Sequence, residues 1–270
     1  MPSALTYNLG NDKYNWNYLT TPQKNLNNRR IKTPRGKVLG GSSSINAMVY
    51  IRGHPLDYNR WEEEGATNWS YKHCLPYFKK AQEHTLGGDL YRGSDGPLKV
   101  TRAEKRNTEE QILSDTFIKA GMEAGYNFTE DMNGFRQEGF GYMDMTIHNG
   151  IRNSTKESYL KEPLENLNIL TNTHVRKILT EKNGSDIKAI GVEYYQNGKI
   201  HQLYTDSEVI LSAGAINSPQ LLLLSGIGIN NSNIPIIIDN PEVGQNLQDH
   251  LELYVQIGCK ENNTLLNWAT

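Results

Sequence analysis

The sequence predicts an α/β fold on three observations: amphipathic helical stretches in its first half, a run of short strands between Asn168 and Ala213, and a strand–turn–helix unit that follows. Residues 1–35 are polar and aromatic without clear periodicity, so they are expected as extended chain lying against a larger body. Gly36 to Asn46 reads as a small-residue loop leading into Ala47-Met48-Val49-Tyr50. A charged, aromatic helix around Trp61 is expected over Asp57 to Glu64. Ser70 suits the N-cap of a second helix running to about Gln82, with Tyr71, Leu75 and Phe78 on its apolar face, and Pro76 should kink or shorten it. A third helix is expected from about Thr108 to Ala124, with Ile112, Leu113, Phe117, Ile118 and Met122 inward and Gly125 in the left-handed position past its end.

The second half changes period. Strands are expected at Ile169–Thr171, Val175–Thr180, Ile187–Tyr195, Ile200–Tyr204 and Glu208–Ala213, with Asn197-Gly198 supplying the positive φ of a tight hairpin turn. The last strand passes through Gly214 directly to Ser218-Pro219, read as an N-cap and a first helical residue. Leu221 to Leu224 continue that helix and Gly226 ends it, the form used at the carboxyl edge of nucleotide-binding sheets.

Composition narrows the function classes. The 270 residues carry 28 basic and 30 acidic side chains, so neither nucleic-acid binding nor disorder is indicated. Asn is abundant in segments such as Asn25, Asn27 and Asn28, which read as solvated loops. No apolar run approaches the roughly 20 residues of a membrane-spanning helix. The first residues show no targeting pattern. Cys74 and Cys259 give neither a disulfide framework nor metal-ligand spacing and read as two buried thiols.

Two segments carry chemistry. Arg35-Gly36-Lys37-Val38-Leu39-Gly40-Gly41-Ser42-Ser43-Ser44-Ile45-Asn46 places adjacent glycines where a backbone can approach a planar or phosphorylated ligand, with hydroxyls and amides available for its oxygens. Alone, such a string is more often a flexible loop. Gly214-Ala215-Ile216-Asn217-Ser218-Pro219-Gln220-Leu221-Leu222, followed by Ser225-Gly226-Ile227-Gly228, is by itself a well-capped buried helix. Together, in this order and at this separation, they resemble the two signatures of the glucose–methanol–choline (GMC) family of flavin-dependent oxidoreductases. The resemblance covers almost the entire chain. It narrows to the choline-oxidising members on Asn46 to His54, Tyr91 to Leu98, Thr129 to Phe135 and Val243 to His250, among others.

That resemblance implies an FAD-binding Rossmann-like domain, incomplete here, interleaved with an antiparallel-sheet substrate domain. Residues 1–60 and 160–250 would form the FAD side, and 61–159 with 251–270 the substrate side. Val38 and the Asn46, Ala47, Met48 and Val49 backbone would contact FAD, with Gly41 and Ser42 near the flavin and its phosphates. Val175 would hold the adenine and Ala213 would lie against the ADP half. A family member that joins its flavin covalently to a His has that His where this chain has Ile45, so FAD is expected to be non-covalent. Glu252 matches an acidic residue that holds the quaternary ammonium of choline, though a solvated Glu is the plain alternative. Asp249 and His250 are not expected to be catalytic, since by resemblance the acid–base His lies near the C-terminus, and His250 is expected to be structural.

No Gly-x-Gly-x-x-Gly unit follows a strand in this chain. By resemblance that unit precedes Met1 and the acid–base His lies beyond Thr270, so the chain reads as an internal piece that is inactive alone. The implied reaction is oxidation of choline, or a similar small alcohol, with electrons passed to an acceptor such as a quinone. A mitochondrial location and membrane association follow from resemblance alone. A sibling acting on another alcohol or sugar, or a non-catalytic short product, remain the alternatives.

Overall fold

The computed structural model describes residues 10–102, 109–162, 164–229, 233–250, 252, 253 and 258. It divides into two compact units, residues 1–166 with 258–270 and residues 167–257.

In the first unit, the entry segment pairs β1 (Tyr18–Leu19) with β2 (Lys32–Thr33). A one-turn 3-10 helix over Gly41–Ser44 then leads into β3 (Val49–Tyr50). Helix α1 (Pro55–Glu63) starts where the sequence supplies Pro at the first position. The His54 ring accepts from the Leu56 amide at 3.2 Å, and the Asp57 carboxylate accepts from the His54 amide at 3.0 Å. Helix α2 (Tyr71–Ala81) follows Ser70 as expected but runs through Pro76 rather than ending there. Ser70 caps it without a side-chain bond to the helix backbone, because its Oγ lies 2.9 Å from His73 Nδ1. Strands β4 (Gln82–His84) and β5 (Leu98–Arg102) come next, then α3 (Glu109–Glu123), with Gly125 left-handed at φ +90° beyond it. The expected start at Thr108 lies outside the described residues. β6 (Asp144–Met145), β7 (Ile147–His148), β8 (Ile151–Arg152) and α4 (Thr155–Tyr159) complete the unit.

Its main sheet has the order β3-β6-β5-β4. β4 and β5 are parallel and the other pairs antiparallel. The core of this sheet is largely polar. Asp144, 1% exposed at its side chain, takes Arg102 Nε at 2.8 Å, Asn133 Nδ2 at 3.2 Å and faces His84 Nε2 at 3.2 Å, slightly off the line of a hydrogen bond. His84 Nδ1 accepts from the Leu86 amide at 3.0 Å, so Nε2 carries the ring proton toward Asp144. Burial alone would push the Asp144 carboxyl upward; the His84 and Arg102 side chains outweigh it and hold the carboxyl at about 2. Arg52, also buried, spends Nε on Tyr50, NH1 on the Tyr91 carbonyl and NH2 on Gln82 Oε1.

Of the apolar residues expected inward on α3, Ile118 is buried, whereas Ile112, Leu113, Phe117 and Met122 are exposed. The helical period marks an apolar face correctly, but no described element covers most of it. Cys74 is half-buried rather than buried, its thiol donating to the Trp69 carbonyl; Cys259 lies outside the described residues.

The second unit is built on a meander of β9 (His174–Asn183), β10 (Asp186–Gln196) and β11 (Lys199–Tyr204), all antiparallel. The β10–β11 turn is the expected Asn197-Gly198 pair, with φ of +51° and +80°. Helix α5 (Gly214–Leu224) and a parallel pair, β12 (Ile227–Gly228) with β13 (Ile238–Asp239), follow. Two expectations are corrected. Ile169–Thr171 and Glu208–Ala213 are not strands. A strand exists only where a neighbour takes its ladder, and no described segment does so; Ile169, Leu170 and Ile210 are exposed. Helix α5 begins at Gly214, capped by Ala213, so Pro219 lies inside the helix and Ser218 is not the cap. Ser218 Oγ instead accepts from the Ala213 amide at 3.0 Å, fastening the turn from within the helix.

The Asn-rich composition also finds its use. Among the described residues, every non-glycine residue with positive φ is Asn except one, Met48. Asn tolerates the left-handed region because its short amide bonds locally. Met48 has no such excuse and draws attention to the loop that contains it.

Candidate functional site

The loop of residues 36–49 is fastened at both ends and from below. At its start, the Trp16 amide donates to the Arg35 carbonyl at 2.9 Å and the Lys37 amide to the Tyr14 carbonyl at 2.8 Å. The buried Asn15 side chain accepts from both the Arg35 and Asn17 amides at 2.9 Å. Gly36 is pressed against the turn it precedes: a Cβ there would stand 2.2 Å from the Gly41 carbonyl oxygen. Only glycine fits that approach.

The three hydroxyls sequence reasoning offered to a ligand are used by the protein instead. Ser42 Oγ accepts from the Gly36 amide at 3.1 Å, Ser43 Oγ donates to the Gly40 carbonyl at 2.5 Å, and Ser44 Oγ donates to the Leu39 carbonyl at 2.8 Å. Ser43 also accepts from the Thr155 amide at 2.9 Å, and Thr155 Oγ1 donates to the Gly40 carbonyl at 3.2 Å. The loop is therefore a braced turn, not a flexible linker.

Beyond the turn, Ile45 and Met48 are buried while Asn46, Ala47 and Val49 are exposed. Met48 is held at φ +66° because its amide donates to Asn46 Oδ1 at 3.0 Å and its carbonyl accepts from the Thr146 amide at 2.7 Å. Both its backbone groups are spent and its side chain is 1% exposed, so Met48 anchors the segment. Val49 is paired in β3 with Met145. Ala47 keeps an amide and a carbonyl that no described residue takes, on an exposed bend.

Arg152 braces the same segment and was not legible in the sequence. Its NH1 donates to the Ser43 carbonyl at 3.1 Å and to Asn46 Oδ1 at 2.9 Å, and burial pushes its guanidinium pKa down. Nε of Arg35, at the start of the loop, is buried with no acceptor among the described residues. A loop of exposed backbone backed by two guanidinium groups fits an anionic, planar ligand better than a cation.

The remaining candidates lie in the second unit. Val175 is the second residue of β9, opposite Tyr194, and is exposed; Ala213 caps α5 and is exposed. Glu252 is exposed, with no ion-pair or hydrogen-bond partner among the described residues; Leu251 lies outside them. His250 is exposed, its amide donating to Asp249 Oδ1 at 2.9 Å.

Known proteins are similar to this chain in sequence and in fold. The chain is 54% identical to mitochondrial choline dehydrogenase of Mus musculus over 271 residues, 98% of this chain and 44% of that protein. It is 47% identical to oxygen-dependent choline dehydrogenase of Photobacterium profundum, covering 98% of this chain and 47% of the relative. The chain thus spans about half the length of the curated relatives it matches. Among solved structures, an FAD-dependent oxidoreductase from Chaetomium thermophilum superposes with a TM-score of 0.74 and 31% identity, over 84% of this chain and 42% of that one. The profile of the GMC oxidoreductase family matches residues 13–252, a span that includes both the braced 36–49 loop and the Gly214 turn, and the chain belongs to that family.

Proposed function

We propose that this chain is part of an enzyme that oxidises choline to betaine aldehyde with non-covalently bound FAD. The observation that carries the reading is the braced loop of residues 36–49, which holds exposed backbone at Asn46–Val49 on a rigid support beside two guanidinium groups without carboxylate partners. Identity of 54% to a choline dehydrogenase supports the choice of alcohol.

In this reading Val38, Gly41 and Ser42 line the approach to the flavin and its phosphates. Ala47 offers its free amide and carbonyl, with Asn46 and Val49 beside it and Met48 fixing their backbone. Val175 and Ala213 serve the adenine half, and residues 1–60 with 160–250 form the FAD side of the protein. Ile45 supports non-covalent binding, because an alkyl side chain offers no atom for a bond to the cofactor. Bound FAD supplies the acceptor for the hydride that leaves the alcohol carbon. Glu252 supplies the carboxylate that holds the quaternary ammonium, which has no hydrogen to donate, by charge. Electron transfer to an acceptor such as a quinone, membrane association and a mitochondrial location complete the proposal; the mouse relative is named as mitochondrial.

The test is dye reduction by a full-length form of the protein with choline or glucose as substrate. Reduction with choline is the expected result, and reduction with glucose alone would replace the substrate. Glu252→Gln should raise the KM for choline by about tenfold or more, the loss of one close charge interaction, with a smaller change in kcat. An unchanged KM removes Glu252 from the site.

A further inference from the structure

The positive charge at Arg152 is left over once the fold has been built. NH1 is committed to the Ser43 carbonyl and Asn46 Oδ1, but no acceptor among the described residues takes Nε or NH2. No carboxylate among the described residues lies within ion-pair distance. The neighbouring Glu157 does not compensate, since it is itself paired with Lys156 at 2.6 Å. Arg52 shows what a purely structural guanidinium looks like here: it too lacks a carboxylate, yet Nε, NH1 and NH2 each reach a protein oxygen. Unlike Nε of Arg35, the uncommitted Nε and NH2 of Arg152 are not sealed inside the protein, so they stay open to a ligand.

We propose that Arg152 positions the 36–49 loop and supplies the counter-charge for an anionic group of FAD. The inference rests on the FAD reading above and adds a residue to it. One face of the guanidinium fixes Ser43 and Asn46, and the other keeps charge beside the exposed Asn46–Val49 backbone. A neutral side chain able to accept and donate at the same place retains part of the brace and loses the charge; lysine retains the charge and loses the two-point brace.

The experiment is titration of FAD into the apoprotein of a full-length form, at low and high salt, for R152Q and R152K. Binding of FAD by the unaltered protein is checked first by flavin absorbance; if it binds none, the cofactor reading itself fails, before any variant is considered. R152Q should weaken FAD binding by about tenfold or more, the worth of one charge-assisted hydrogen bond, and flatten its salt dependence. R152K should stay closer to the unaltered protein and keep the salt dependence. Equal losses in the two variants, or better binding by R152Q, would overturn the counter-charge and leave a brace only. Titration with ADP then locates the group. A parallel loss for ADP in R152Q assigns the charge to the diphosphate, and an unchanged ADP affinity assigns it to the flavin ring.

Discussion

Residues 36–49 and residues 213–226 both make a tight turn of small residues, yet they are supported differently. The first takes hydrogen bonds from partners up to 115 positions away: Asn15, Thr146, Arg152 and Thr155 all reach it. The second is held by its own helix, through Ser218 on the Ala213 amide, and by Ser225, whose Oγ accepts from the distant Ile178 amide at 2.8 Å. A turn supported from many elements keeps its shape without a ligand, and a turn with fewer outside ties, to Ile178 and through the Gly226 carbonyl to Ile237 and Ile238, leans more on its own helix. The difference teaches where preorganisation resides in this chain: in the first unit, at the loop.

The comparison can be broken most severely beneath the first turn. Asp144→Asn removes the carboxylate that Arg102 and His84 share and leaves the largely buried Arg102 with Asp131 as its remaining acidic partner, so unfolding should become easier by about 3 kcal/mol, read from a denaturant midpoint. The same group makes a pH signature. Its folded pKa is depressed to about 2 from the ordinary 3.8, so its stabilisation is complete above the ordinary value and is lost as pH falls toward the folded one. The loss should amount to about 2 kcal/mol across that window and be absent in Asp144→Asn. Next in size, Gly36→Ala drives a methyl into the Gly41 carbonyl and should cost about 2 kcal/mol together with FAD affinity; a silent variant would mean that the loop yields easily and is not preorganised. Smallest, Ser225→Ala in the second unit orphans the Ile178 amide and should cost about 1 kcal/mol with FAD affinity little changed. If it matched Gly36→Ala, the contrast between the two turns would be lost.

The elements with local signals were legible in the sequence. The charged, aromatic stretch around Trp61 announces α1, which starts at Pro55, two residues before the expected Asp57; Asn197-Gly198 announces its hairpin, and the two glycine-containing segments announce the family. What escaped was non-local. Arg152 and Asn15 are single polar residues with no period, and their partners become visible only once the chain is folded. The expected strands at Ile169–Thr171 and Glu208–Ala213 failed for a related reason: their composition suits a ladder, but a ladder needs a neighbour. Ser218 was misread because Ser-Pro is a good helix start in isolation, whereas the backbone turns into α5 four residues earlier, at Gly214.

The bonds between Ser43 and Thr155 also set an order of events during synthesis. The two residues are 112 positions apart, and Arg152 and Asn46 are 106 apart. Closing a loop of that length costs chain entropy that local turns never meet. While the polypeptide emerges from the ribosome, the helices around Trp61 and Phe78 can form from nearby sequence alone. The loop of residues 36–49 must wait, with its glycines and serines already outside, until the segment from Thr146 to Thr155 has been made and has returned to it.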